Sequence, residues 1–148
     1  MQWTPHVTVA AIAQDSSGRF LLVEEEVEGR RCFNQPAGHW EEGETLSEAA
    51  VRETLEETGF RFFPQYLVGI YHWKHPMRDL VYLRFAFAGE VDCAGPASGL
   101  DAGIIGPVWM DLAEIRSRAK EMRSSMVERC IWDFLQGQHF PLELVRSV

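Results

Sequence analysis

The sequence predicts an α+β protein: a mixed β-sheet with helices against its faces, in an α/β/α layout. Three observations carry this. Short β-branched and aromatic runs, parted by turn residues, recur through the first two thirds of the chain. One well-capped helical segment interrupts them. Two further helical segments follow the last run. The 148 residues fit a single domain, 1–148, and an apolar share of 46% suffices for a real core.

Residues 6–14, "HVTVAAIAQ", are β-branched and partly alternating, so they read as a strand. "DSSG" is a turn, and residues 19–27, "RFLLVEEEV", return as a second strand to give a hairpin. Residues 29–38 form a loop with a short strand at 32–35. A helix runs over 46–58, opened by a capping box of Thr45 and Glu48 and stopped by Gly59. Residues 65–75 and 80–91 are two strands about a turn at 76–79. Residues 93–106 make a loop of small residues, the kind that often carries function. A strand at 107–112 and helices at 112–119 and 124–137 follow, with Trp132 and Phe134 as core positions. Arg123 and Ser124 serve only to cap the last helix.

The formal charge of −8 argues against a nucleic-acid binder, which needs clustered Lys and Arg. It suits a protein that meets anionic ligands through a cation such as Mg²⁺. Cys32, Cys93 and Cys130 include no CxxC pair, which argues against zinc and for a reducing compartment. The N-terminus lacks a basic leader region, and its apolar run stops far short of a membrane span. The expectation is a soluble cytoplasmic monomer with no nucleic-acid or membrane partner.

One stretch concentrates acid: "GHWEEGETLSEAAVRETLEETGF", Gly38 to Phe60. Like charges one helical turn apart repel, so something must offset Glu53, Glu56 and Glu57. At about 100° per residue, Leu46, Ala49, Ala50, Glu53 and Glu57 share one side, with Glu56 beside Ala49. Glu48 and Leu55 point the other way. A solvated face would set the acids opposite the small apolar residues. The helix is therefore expected to present Glu53, Glu56 and Glu57 to a shared concave site. Converging carboxylates are hard oxygen donors suited to Mg²⁺ or Mn²⁺. Arg52 lies one turn from both Glu48 and Glu56, as a salt-bridge hub or as a group that orients a neighbouring carboxylate.

The same stretch resembles the signature of the Nudix family: Gly, five residues, Glu, seven residues, then Arg-Glu-apolar-x-Glu-Glu-x-Gly-apolar. It fits as Gly38, Glu44, Arg52, Glu53, Glu56, Glu57, Gly59 and Phe60, with Thr54 the one departure at a usually apolar position. The resemblance implies a Nudix α/β/α sandwich that hydrolyses phosphoanhydrides with Mg²⁺, or Mn²⁺ in its place. It implies metal binding by Glu53, Glu56 and Glu57 and the Gly38 carbonyl. Arg52 would hold Glu53, and Glu44 would act at one remove or through water. The general base would be Glu53, with Asp101 as runner-up.

A narrower likeness, carried by "FNQPAGH" and "MRSSMVERC", is to the bacterial phosphatase NudJ group. It implies nucleoside tri- and diphosphates and hydroxymethylpyrimidine pyrophosphate as substrates, with orthophosphate released. Residue type alone nominates contacts with such a small molecule. Arg19, Arg30, Lys74 and Arg84 are candidates for phosphate. Phe33, Trp73 and Tyr82 are candidates for stacking on a base, and His39 for approaching a phosphate. Competing readings are ADP-ribose hydrolysis, RNA 5′-end hydrolysis and a non-catalytic ligand-binding module.

Overall fold

The computed structural model describes residues 2–93 and 100–148. Its elements are strands β1 (His6–Ile12), β2 (Phe20–Val27), β3 (Arg30–Asn34) and β4 (Ala37–His39), helix α1 (Leu46–Thr58), strands β5 (Phe60–Lys74), β6 (Val81–Cys93) and β7 (Ile104–Met110), and helices α2 (Leu112–Ser117) and α3 (Met126–Leu135). Single 3-10 turns lie at Ala119–Glu121 and Leu142–Leu144.

The strands form two sheets, ordered β4-β1-β6-β5 and β3-β2-β7. β1 and β6 run parallel, and every other pairing is antiparallel. The expected mixed α+β sandwich is therefore present, but β1 and β2 are not a hairpin. Their strands meet only at the turn, where Leu21 N–H donates to the Ala13 carbonyl and Asp15 holds the amides of Ser17 and Arg19. Beyond it they part into different sheets. The reason is legible in burial: Val9 to Ile12 are buried without alternation, as a central strand covered on both faces requires.

Two hydrophobic clusters flank the four-stranded sheet. On one face, Ala49 and Ala50 of α1 pack on Val9, Ala11, Phe62, Leu67 and Phe87. On the other, Val68 and Ala86 meet Phe20, Leu22 and Phe33 of the second sheet, with Ile115 of α2 and Val127 and Ile131 of α3. The small side chains of Ala49 and Ala50 let α1 lie close to β1.

β5 starts at Phe60, earlier than expected. Pro64 hides it in the sequence but is tolerated because β5 is an edge strand, irregular in register at Pro64/Tyr66 and Leu67/Gly69. Its outer edge is met by Phe140, which exchanges both backbone hydrogen bonds with Leu67. β4 is short and glycine-containing, so it carries no strand signal. The capping box of α1 forms in both directions, and Gly59 ends the helix at φ 76°. Trp132 is exposed rather than core, with Arg116 over its ring; Phe134 does pack on the core. Residues 94–99 of the small-residue loop lie outside the described residues. Among the described residues, no helix is long and apolar enough to cross a membrane.

Candidate active site

α1 delivers its acids to the end of β4. Arg52 is the hub that gathers them. Its Nε and Nη2 donate to both oxygens of Glu44 at 2.9 and 2.8 Å. Nη1 donates to Glu53 at 2.8 Å and Glu56 at 3.2 Å, and Nη2 also donates to the His39 carbonyl at 3.0 Å. One guanidinium thus fixes three carboxylates and ties α1 to β4. Glu44 thus reaches Glu53 through Arg52, and Arg52 favours its ionised form, lowering its pKa.

Gly38 is where the close approach matters. A Cβ there would sit 2.1 Å from the Glu53 carboxyl carbon. Only hydrogen at this position lets β4 and Glu53 meet. Burial raises the Glu53 pKa, and this outweighs the opposing pull of Arg52. Glu56 is raised for the same first cause.

Glu57 is buried, and its carboxylate accepts the Ala37 amide at 2.7 Å. Burial pushes its pKa up to about 8, only partly countered by that amide. Asp101 is exposed on the segment before β7, and its charge adds to the rise at Glu53, Glu56 and Glu57. Among the described residues, no three acid, His or Cys side chains form a ready-made metal cage. Glu53 and Glu56 are turned to Arg52 and Glu57 to Ala37.

Gly38 and Glu57 open into a cleft of about 500 Å³. Its floor is the sheet face bearing His39, Thr8, Arg84, Tyr82 and Trp73. One wall is β2 and β3, and the other runs from Lys120 to Met126. Of the proposed substrate contacts, His39, Trp73, Tyr82, Arg84 and Arg30 line it. Phe33 does not: it is buried in the core, with Arg118 4.5 Å from its ring centre. Lys74 is exposed outside the cleft because strand alternation turns it away from the face that Trp73 occupies. Arg19 is tied to Asp15 in the β1–β2 turn.

The sequence reading passes over Glu25, Arg31, Arg78, Lys120 and Arg123, which line the cleft as well. Arg123 is no mere cap. Its amide donates to the Phe33 carbonyl, and its side chain reaches Glu25 at 2.7 Å. Nothing local in the sequence signals that Met122 bridges to β3. A chain of net −8 also sets Arg30, Arg31, Arg78, Arg84, Lys120 and Arg123 around one cleft, with Arg31, Arg78 and Arg123 paired to Glu24, Glu28 and Glu25. Aromatic rings continue the floor: Trp73 lies 5.6 Å from Tyr82, and Tyr82 stacks on His6 at 5.0 Å. His6 Nδ1 and His39 Nε2 share a hydrogen bond at 2.9 Å, and burial lowers the His39 pKa.

An acid-bearing helix of this signature, set on a mixed-sheet sandwich, defines a class. The NUDIX domain family model matches residues 4–130, and the chain belongs to the Nudix family. Its class is that of phosphoanhydride hydrolases. Among relatives, Phosphatase NudJ of Escherichia coli (strain K12) is 41% identical over 141 residues, covering 95% of this chain and 90% of that protein. The Shigella sonnei Phosphatase NudJ matches to the same extent. A NUDIX hydrolase from Nitrosomonas europaea has a TM-score of 0.94 and 42% identity, covering 98% of each chain. A MutT protein from Methanosarcina mazei Go1 shares the fold alone, with a TM-score of 0.71 at 19% identity, covering 93% of this chain and 99% of that one.

Proposed function

We propose that the protein hydrolyses nucleoside tri- and diphosphates, and hydroxymethylpyrimidine pyrophosphate, releasing orthophosphate with the help of Mg²⁺ or Mn²⁺. The observation that carries this is the Arg52-gathered acid group opening, through Gly38 and Glu57, into a cation-lined cleft. The kinship with phosphatases named NudJ supports the orthophosphate product.

Glu53, Glu56, Glu57 and the Gly38 carbonyl are the groups that would hold the metal. They are hard oxygen donors whose charge exceeds what Arg52 neutralises, and the absent side chain of Gly38 lets the Glu53 carboxylate lie against the β4 backbone. A bound divalent ion supplies positive charge to the bridging and leaving oxygens of the anhydride. Glu53 is the base that takes the proton of the attacking water, because burial makes it more basic than an ordinary carboxylate. Asp101 is the alternate base. Arg52 keeps Glu53 in position, and Glu44 in turn fixes Arg52. The ring of the substrate lies against Trp73 and Tyr82.

The test is a product assay with Mg²⁺ that measures orthophosphate and pyrophosphate separately. It offers nucleoside tri- and diphosphates, ADP-ribose and hydroxymethylpyrimidine pyrophosphate. Orthophosphate from the triphosphate, with the diphosphate cleaved in turn, is the expected result. Strict pyrophosphate release with diphosphates untouched overturns the substrate reading.

Metal is also expected to stabilise the fold. Binding to the native state alone adds about 2.7 kcal/mol at a hundredfold excess over Kd. The gain should grow with pH. Glu57 has a native pKa of about 8 against a usual 4.5. In metal-free protein its contribution to stability is therefore full below about 4.5 and lost as pH rises to about 8. A metal needs the carboxylate, so its affinity rises over that same window. Melting curves with and without Mg²⁺ at each end of the window check this, and an equal shift at both ends counts against Glu57 as a ligand.

A further inference from the structure

Arg84 is the least expected charge in the molecule. It lies on β6 with 3% of its surface exposed. Its Nη1 donates to Gln35 Oε1 at 2.8 Å and touches Cys130 Sγ at 3.9 Å, and its Nη2 donates to Asn34 Oδ1 at 3.0 Å. Its Nε has no partner. Each of these acceptors is neutral, and among the described residues no carboxylate pairs with it. Gln35 is fixed in turn, since its Nε2 donates to the Val127 carbonyl of α3 at 2.8 Å.

A buried guanidinium without a counter-charge is costly. Arg123, on the wall from Lys120 to Met126, has Glu25 to balance it. Arg84 has only the cleft, which it lines together with Thr8 and Asn34. An anion arriving there would meet a cation already oriented and already stripped of water.

Strand register says which anion. Along β1, Ala10 pairs with Ala37, whose amide holds Glu57. Thr8 pairs with Arg84, and His6 pairs with Tyr82. Each step of two residues is about 7 Å. The cleft thus presents Glu57, then Arg84, then the Trp73 and Tyr82 rings, in that order. A phosphoanhydride ester has the same order: scissile bond, retained phosphate, ring.

We propose that Arg84 is a specificity-determining residue that binds the phosphate retained next to the ring, so that a diphosphate ester is aligned for cleavage and its phosphomonoester product is held afterwards. This rests on the phosphohydrolase reading above, but its test does not need turnover.

The experiment measures equilibrium binding of cytidine monophosphate and of cytidine to the metal-free full chain, by calorimetry, for the wild type, Arg84→Gln and Arg84→Lys. The wild type should bind the monophosphate at least tenfold tighter than the nucleoside. Arg84→Gln should weaken the monophosphate by about ten- to a hundredfold, the range for a charged hydrogen bond, and leave the nucleoside unchanged. Arg84→Lys keeps a cation but loses the clamp of two carboxamides, so it should fall between. In steady-state assays of Arg84→Gln, KM should rise with kcat nearly kept, as for an interaction equal in ground and transition states. A wild type that binds both ligands equally overturns the proposal. So does equal weakening of monophosphate and nucleoside in the variants, which would mean that Arg84 reads the ring or only supports the fold. If no anhydride is hydrolysed yet monophosphate binding depends on Arg84, the subsite stands and the hydrolytic reading falls. The reverse pattern removes only the subsite.

Discussion

Replacing Glu53 with Gln is expected to lower turnover by about 10²–10⁴, the usual range for a positioned acid–base group. The neighbouring change Glu48→Gln should keep most activity. Both lie on α1, both remove one negative charge, and both nearly preserve shape. Their settings differ. Glu53 is mostly buried, is bonded to Arg52 and abuts Gly38. Glu48 is exposed and accepts the Thr45 amide at 3.0 Å in the capping box. Its loss should therefore appear as stability, about 0.5–1 kcal/mol for a weakened cap. Steady-state rates at saturating Mg²⁺, with melting curves alongside, separate the two. Equal activity losses would mean that bulk charge, not placement, governs the helix. Asp101→Asn in the same assay tells the two candidate bases apart.

Gly38→Ala is expected to cost about 10²-fold in kcat while leaving the melting temperature nearly unchanged. The backbone at Gly38 is not among the positive-φ glycines, so alanine brings no torsional strain. The three atoms nearest its Cβ would all belong to the Glu53 carboxyl group, at 2.1–2.4 Å. That group is the end of a flexible side chain and can swing aside at little cost to the fold. Displaced, it is no longer where Arg52 holds it, and misplacement by about 1 Å can cost this much rate. A large fall in melting temperature would mean instead that β4 and α1 separate. Unchanged activity would mean that the approach of Gly38 to Glu53 has no part in turnover.

The acid-bearing helix was legible because its information is local. Capping residues, helical spacing and the Arg52 hub lie within one segment, and the structure keeps the arrangement that the wheel gives for Glu48, Leu55 and Glu57. The pairing of β1 was not, because "HVTVAAIAQ" specifies a strand without saying which neighbours it takes. Its unbroken apolar run was the available sign of a central position. β4 has only three residues and owes its existence to β1. Substrate-facing residues were read from side-chain type, which cannot tell Trp73 from Lys74. Strand parity decides that, and parity depends on which sheet face is covered. Arg123 reaches the cleft through a contact between residues distant in sequence, so no local pattern announces it.

The pairing of Phe140 with Leu67 has a meaning apart from catalysis. An open strand edge is a template on which another chain can add itself. β5 is long, lies at the margin of its sheet and exposes Phe63 and Ile70. Phe140 closes both backbone groups of Leu67, and Leu142 and Val145 then pack against the α1-side core. The segment after α3 therefore covers part of the β5 edge, at Leu67, and leaves less of that margin open to an added strand.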